Sequence, residues 1–329
     1  MTGSVWQTEG VELSSVYRKR ARKELNEDPE QVQAHLESFR RWIKSMPHLN
    51  CPTDDKFLLA FLRHAKYNHS KAQARLDNYC TFRTSATEGC PEWFGIDKNE
   101  AQLFPKMLDQ KVSGPLGFTD NGAIVFLVRF SKFNDSEMPF ETMRRLDRTL
   151  DDICILDERK QIGGYVMIFD FTGVSMRQAK LAFNPNSSKL EGQYHQECMP
   201  MRVGKLIFYN MPSFFDGLFK VVCHYLKEKI KSKVLVLSGS LKPAFDELPG
   251  LEEICPQEYG GKALPFDELC ETMNKETEMA FNNRRKIVVS VDESKRPNSA
   301  KNLMKVYKDL PENIMGTAGT FVKLNADGI

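Results

Sequence analysis

The 329-residue sequence lacks the motifs by which most α/β enzymes are recognised. It contains neither G-x-G-x-x-G nor G-x-x-x-x-G-K-[ST], which argues against dinucleotide and nucleoside triphosphate binding. G-x-S-x-G is also missing, so an α/β-hydrolase nucleophile has no candidate. The six histidines are scattered and form no zinc motif, and only His195 merits attention. We therefore expect a binding protein that has no catalytic residue, no cofactor and no metal ion.

Paired cysteines, long apolar runs and a strong net charge are absent too. The eight cysteines form no C-x-x-C pair, and no stretch approaches the 18 or so apolar residues of a membrane span. The first ten residues lack the apolar core of a signal peptide. A net charge of +2, with 41% apolar and 27% charged residues, is typical of a soluble globular protein. We expect a cytoplasmic monomer without a nucleic-acid partner.

Apolar spacing divides the chain into a helical first part and an α/β second part. After an N-terminal extension (1–27), helical periodicity runs through 28–95, where Asp28, Asp54 and Ser70 are candidate caps. Four short apolar runs then predict strands at 123–130, 165–171, 206–209 and 234–237, and Asn121-Gly122 predicts a tight turn before the first. The expected fold is a helical bundle followed by a mostly parallel sheet flanked by helices, spanning 96–262. A last helix within 263–289 and a flexible or loosely docked tail, 290–329, complete the prediction.

The stretch 212–233 predicts an amphipathic helix with an unusually broad apolar face. At about 100° per residue, the face includes Phe214, Phe215, Leu218, Phe219 and Val222. Lysines follow at 227, 229, 231 and 233. One interpretation is a core-packing helix followed by a solvated charge run. The other is a lid that touches both a hydrophobic ligand and an anionic membrane.

Six segments occur together along the chain: FLLAFLRHAKYN (57–68), YCTFR (79–83), IFDFTG (168–173), MPMRVGKLIFYNMPSFF (199–215), YLKEKIKSKV (225–234) and CPQEYGG (255–261). As a set they resemble the CRAL-TRIO lipid-transfer family, nearest to its tocopherol and retinaldehyde branch. GTAGTFVKLN (316–325) resembles the tail of arthropod members. The resemblance implies a helical N-terminal module, a lipid-binding domain and a mobile gate helix over an apolar pocket. It also implies a carrier that moves a tocopherol-like, retinoid-like or similar lipid and contacts membranes transiently.

The resemblance also assigns residues to the pocket, the gate and a phosphoinositide groove. The implied pocket wall is Tyr165, Phe169, Phe183, Tyr194, Met199, Met201, Val203 and Leu206. The gate would close with Phe214, Phe215, Leu218, Phe219 and Val222. The groove would use Arg202, Lys229 and Lys233, the last two on one helical face if the helix persists that far. Ala65 replaces a second arginine of the family pattern, and the adjacent Lys66 is the expected partial substitute.

Three functions remain to be compared at this point. The first is a carrier that shields and delivers a hydrophobic molecule, whose hydroxyl or aldehyde head Tyr165, Tyr194 and His195 are able to orient. The second is a scaffold that binds phosphoinositides without transferring cargo. The third, an enzyme, is supported only by the α/β architecture.

Overall fold

The computed structural model describes residues 4–300, which form fifteen α-helices and seven strands. The helices are α1 Ser15–Leu25, α2 Val32–Lys44, α3 Asp55–His64, α4 His69–Thr84, α5 Lys98–Ala101, α6 Phe104–Asp109, α7 Phe140–Ile155, α8 Glu158–Gly163, α9 Met176–Ala182, α10 Pro185–Gln193, α11 Asp216–Tyr225, α12 Glu228–Lys231, α13 Lys242–Glu247, α14 Leu251–Ile254 and α15 Phe266–Asn283. The strands are β1 Leu49–Asn50, β2 Ser113–Phe118, β3 Ile124–Arg129, β4 Tyr165–Asp170, β5 Val203–Tyr209, β6 Val234–Leu237 and β7 Ser290–Val291.

Five strands form the main sheet in the order β2-β3-β4-β5-β6. β3 to β6 pair in parallel, and β2 pairs antiparallel to β3 at one edge. The four predicted strands are thus present, and the Asn121-Gly122 turn does follow a short strand. The predicted α/β class, with a helical first part and a mostly parallel sheet, is confirmed.

Local capping explains why two of the first helices begin where they do. Asp54 accepts a hydrogen bond from the Phe57 amide at 3.3 Å and so caps α3, as predicted. At α4 the cap is Asn68, whose side chain accepts from the Lys71 amide at 3.0 Å, and not Ser70. Asp28 caps no helix, since α2 begins at Val32 without a side-chain cap.

The segment after α15 is docked more closely than the expected loose tail. β7 pairs antiparallel with β1, through Leu49 opposite Val291. Arg296 then donates to the buried carboxylate of Asp77 at 2.6 Å. Two long-range anchors therefore hold residues 290–300 against the helical module. The remainder of the predicted tail, including 316–325, lies outside the described residues.

Candidate gate and ligand site

The predicted gate helix is divided into three short pieces. A 3₁₀ turn covers Ser213–Phe215, α11 runs from Asp216 to Tyr225, and α12 begins again at Glu228. The break comes from Gln196, whose side chain donates to the Tyr225 carbonyl at 2.9 Å and accepts from the Lys227 amide at 2.7 Å. These bonds replace the next helical bonds of the backbone. Lys229 and Lys233 therefore do not share one helix, because Lys233 follows α12 and precedes β6.

The apolar face of the gate segment packs on an aromatic cluster at the carboxyl ends of β4 and β5. The Phe215 ring lies 4.5 Å from Phe171 and 5.0 Å from Phe183, and Phe219 lies 4.9 Å from Phe208. Leu218 is buried in the same cluster, which Phe169, Val222 and Leu206 border. Phe214 differs from the prediction: it is 37% exposed and does not belong to this cluster. Four of the five predicted gate residues thus contact the sheet side.

The predicted pocket wall falls into two groups. Phe169, Phe183 and Leu206 border the aromatic cluster under the gate. Tyr165, Tyr194, Met199, Met201 and Val203 belong to the large core shared with the helical module. Tyr194 is fully buried, and its hydroxyl lies 3.1 Å from Asp151 Oδ2 and 3.3 Å from Met199 Sδ. It is therefore a core residue in this structure and has no surface to offer a ligand.

One face of the main sheet, here called the gate face, keeps accessible apolar surface. Two registered rows of side chains lie on it: Phe126, Met167, Leu206 and Val234, then Val128, Phe169, Phe208 and Val236. Apart from buried Phe208 and exposed Val236, all are only partly buried, although β4 and β5 are interior strands. Leu206 borders both the aromatic cluster and the large core. The gate face is thus covered at its margins and loosely filled along these rows.

Polar side chains lie beyond the rows, toward the amino ends of the strands. The Tyr165 hydroxyl is 3.4 Å from His195 Nδ1, and His195 Nε2 is 3.3 Å from Glu191 Oε2. His195 stands in a π-helical turn, Tyr194–Cys198, a distortion frequent at functional sites. Although burial alone would raise it, the pKa of Glu191 is held well below its usual range by Arg148, His195 and Arg144. Glu191 is therefore a carboxylate at neutral pH.

The predicted groove residues lie close together, but two of the three already donate hydrogen bonds to acceptors within the protein. Arg202 donates to the Glu24 carboxylate of α1 at 2.7 Å and to the Ile162 carbonyl at 2.9 Å. Lys233 donates to the Val203 carbonyl. Burial, followed by Lys229, Arg202 and Arg20, lowers the pKa of Lys233. Within residues 4–300, the Lys229 ammonium has neither an ion pair nor a hydrogen bond.

His64, and not Lys66, accompanies these cations. Burial, together with Arg75, Lys229, Arg202 and Lys233, lowers the pKa of His64 well below its usual value. Lys66 is exposed in the turn after α3 and has a backbone φ of 53°. The expected role of Lys66 as a partial substitute for the arginine that Ala65 replaces stays a prediction.

Sequence reasoning missed several residues of this region. Phe126 and Met167 were overlooked because an apolar run does not tell which face of a strand stays accessible. Asp147, Asp151 and Glu191 were overlooked because acidic residues on a helix usually face solvent. The spacing of Asp147, Leu150 and Asp151, which places them on one face of α7, was the available signal.

Two clefts among the described residues lie away from the gate. One, of about 350 Å³, is lined by residues that include Arg83, Phe94, Asp152 and Ile287. The other, of about 280 Å³, lies between α6 and α15 beside Phe104 and Phe281. Within residues 4–300 there is no group of three or more potential ligands arranged to hold a metal ion. No helix in that range has the length and apolar character needed to cross a bilayer.

The structure combines a helical module with a five-stranded sheet, and an amphipathic segment covers one face of that sheet. This arrangement is typical of a class of domains that bind small molecules. Residues 108–261 match the CRAL/TRIO domain, and residues 28–98 match the Pinta-like UBA domain. The chain belongs to the CRAL/TRIO domain family of lipid-binding and lipid-transfer proteins.

Individual relatives agree with this assignment. The human "Alpha-tocopherol transfer protein-like" protein is 33% identical over 254 residues, covering 75% of this chain and 70% of its own. Mouse Clavesin-2 is 27% identical over 257 residues, covering 78% of this chain and 76% of its own. The crystal structure of Sfh5 covers 82% of this chain and 100% of its own at 15% identity and a TM-score of 0.43, too distant to inform the site.

Proposed function

We propose that this protein is a non-enzymatic carrier that encloses a hydrophobic small molecule between the gate face and α11. One observation carries the proposal. Apolar side chains in the middle of the sheet, Met167, Phe169 and Leu206, keep accessible surface where interior strands are ordinarily close-packed. Such surface favours a cargo over a filled core.

The energy available to such a carrier is sufficient for extraction of a lipid. Burying apolar surface contributes about 25 cal/mol per Å², so ~300 Å² of cargo surface contributes roughly 7 kcal/mol. Met167 and the phenylalanines on the gate face can adapt to an irregular ligand. The names of the relatives make tocopherol a reasonable first cargo to test, with retinoids as the second.

In the same proposal, anionic headgroups at the membrane favour an open gate. Lys229 lies two residues after the break between α11 and α12, so a phosphate bound there acts next to the hinge of the gate segment. Lys229 and Arg202 both lie near Lys233, since after burial they are the largest causes of its lowered pKa. A headgroup that binds better to the open arrangement shifts the equilibrium toward it. The carrier would thus exchange its cargo at anionic membranes.

Cargo uptake is the decisive measurement. The purified chain, incubated with phosphatidylcholine vesicles that contain α-tocopherol or retinol, is expected to yield about one cargo molecule per chain on extraction and mass spectrometry. Leu206→Trp fills the space between the two clusters and should abolish uptake while the protein remains folded. Leu264→Trp is the matched control, because Leu264 is 54% exposed in the loop before α15, away from the gate face. Equal uptake by wild type and Leu206→Trp would contradict the carrier.

Transfer between vesicles separates the carrier from a scaffold. Adding a phosphatidylinositol bisphosphate to acceptor vesicles should accelerate transfer, and Lys229→Ala with Lys233→Ala should remove the acceleration but not the basal rate. Headgroup-dependent vesicle binding without any cargo would instead support the scaffold.

A further inference from the structure

The larger of the two clefts away from the gate, here called the cationic cleft, lies where the helical module meets the segment after α15. Its volume of about 350 Å³ is within the roughly 300–1,000 Å³ of small-molecule sites. The walls come from the end of α4, the loop that follows it, α7 and residues 284–289. Its apolar surface is provided by Phe94, Ile96, Ile287, Val288 and Val289.

The charged residues that line the cationic cleft are four cations and one acid. The cations are Arg83, Arg148, Arg284 and Lys286, and the acid is Asp152. Asp152 accepts a hydrogen bond from Arg83 Nη1 at 2.8 Å and another from the Ile287 amide at 3.3 Å. Arg83 and Asp152 therefore compensate each other, and the cleft keeps an excess of positive charge.

Arg284 has no carboxylate partner to balance its charge. Its guanidinium lies 3.9 Å from the centre of the Phe281 ring and donates to the Phe281 carbonyl, but within residues 4–300 it makes no ion pair. Burial lowers the pKa of Arg284 and Asp152 raises it, and a guanidinium remains charged at neutral pH in either case. A half-buried cation of this kind is favourably placed to bind an anion.

Arg148 and Lys286 add further donors to the same cleft. Arg148 is 8% exposed, and its Nε is buried without a hydrogen-bond partner in the described part of the chain. Its two terminal nitrogens donate to Asp151 and Glu191, neither of which lines the cleft. Lys286 is exposed, and its ammonium makes no ion pair with any residue from 4 to 300. Because a buried donor without an acceptor costs free energy, an anion that reaches Arg148 Nε would be stabilised there.

We propose that the cationic cleft is a second binding site, separate from the gate face, for a small monocarboxylate with an apolar or aromatic body. The carboxylate binds Arg284 and Lys286, since a guanidinium fork can hold both of its oxygens, and the body packs on Phe94 and Val288. A phosphate dianion fits less well, because Asp152 in the same wall repels its second charge. The site does not depend on the carrier function.

The test compares three probes that share a body and differ in the polar group. They are para-trifluoromethyl phenylacetate, its neutral amide, and the corresponding benzylphosphonate, and fluorine NMR measures their binding to the full chain at neutral pH and low salt. Hydrogen bonds to charged groups are the stronger ones, so the carboxylate should bind at least about tenfold more tightly than the amide. Added salt should weaken binding of the carboxylate and leave binding of the amide unchanged.

Substitutions in the segment after α15 locate the site. Arg284→Gln combined with Lys286→Gln should weaken carboxylate binding about tenfold or more and leave amide binding intact. Arg285→Gln is the matched control, because Arg285 is the cation between them, pairs with Asp54 and does not line the cleft. In wild type the bound carboxylate should also slow cleavage by trypsin after Arg284 and Lys286, because it holds their side chains against α7.

Each alternative outcome contradicts the site in a different way. Equal binding of carboxylate and amide, or equal losses in Arg285→Gln and in the double variant, would overturn it. Tighter binding of the phosphonate than of the carboxylate would overturn the assignment to a monocarboxylate. Leu206→Trp, which fills the gate face, should bind the carboxylate as wild type does. Loss of binding in that variant would place the anion at the gate face and overturn the second site.

Discussion

The two faces of the main sheet have similar apolar composition and very different packing. On the back face, Val125, Leu127, Val166, Ile168 and Ile207 are completely buried beneath α13, α14 and α15. On the gate face, the alternate residues of the same strands remain partly accessible. Since consecutive strand residues point to opposite faces, each strand carries one sealed side and one loosely filled side. The back face is therefore the side that supports folding, and the gate face is the side that keeps accessible apolar surface.

A matched pair of alanine substitutions on β4 gives the largest expected effect. Ile168→Ala opens a cavity in the sealed back face and should lower the free energy of unfolding by about 3–4 kcal/mol. Met167→Ala removes a side chain that is only partly buried, so it should cost about 1 kcal/mol without cargo. Urea unfolding of the cargo-free chain measures both. Equal losses would mean that the two faces are packed alike.

Bound cargo should fill the gate face and so reduce the difference in packing between the two faces of the sheet. A ligand that binds only the folded state at one hundred times its dissociation constant stabilises it by about 2.7 kcal/mol. We expect this gain from the preferred cargo in wild type and in Leu264→Trp, and none in Leu206→Trp. Thermal unfolding at fixed ligand concentration provides the measurement. A gain in Leu206→Trp would place the cargo elsewhere on the molecule.

The carboxyl of Asp147 on α7 should destabilise the cargo-free protein at neutral pH. The folded pKa of Asp147, about 6, lies above the usual 3.8, so folding is favoured fully below pH 4 and this contribution is lost as pH rises through 6. Asp147→Asn should therefore stabilise the protein by about 2 kcal/mol at pH 8 and by little at pH 4. Chemical unfolding at both pH values tests this. An equal effect at pH 4 and pH 8 would exclude titration of Asp147 as its cause.

The fold could be predicted from the sequence because its strands are short apolar runs and its helices have a clear apolar periodicity. β2 was found only through the Asn121-Gly122 turn, since its sequence, SGPLGF, has little strand character. The buried back face could be predicted from the same apolar runs, because a fully covered sheet face requires only apolar residues. Sequence could not tell that the other face is loosely filled, which depends on the helices that cover it.

The break between α11 and α12 was hidden for a similar reason. The residue types around Tyr225 and Lys227 favour a helix, and no glycine or proline interrupts the segment. The helix ends there because Gln196, 29 residues earlier than Tyr225, binds both sides of the break. The pairing of Arg202 with Glu24 spans 178 residues and was equally invisible. Such long-range polar contacts are the part of the site that periodicity does not encode.

The smallest effect is expected at the groove formed by Arg202, Lys229 and Lys233. Glu24 holds Arg202 at 2.7 Å and Arg20 at 3.1 Å, and this ion pairing lowers the pKa of Glu24 although burial opposes it. A lipid phosphate must therefore compete with a carboxylate for Arg202. Glu24→Gln should strengthen binding to vesicles containing phosphatidylinositol bisphosphate about fivefold, since one released cation contributes about 1 kcal/mol near an anionic surface. Glu30→Gln, at an exposed acid in the following loop, is the control. If both variants bind alike, the gain reflects net charge alone, and Arg202 takes no part in headgroup binding.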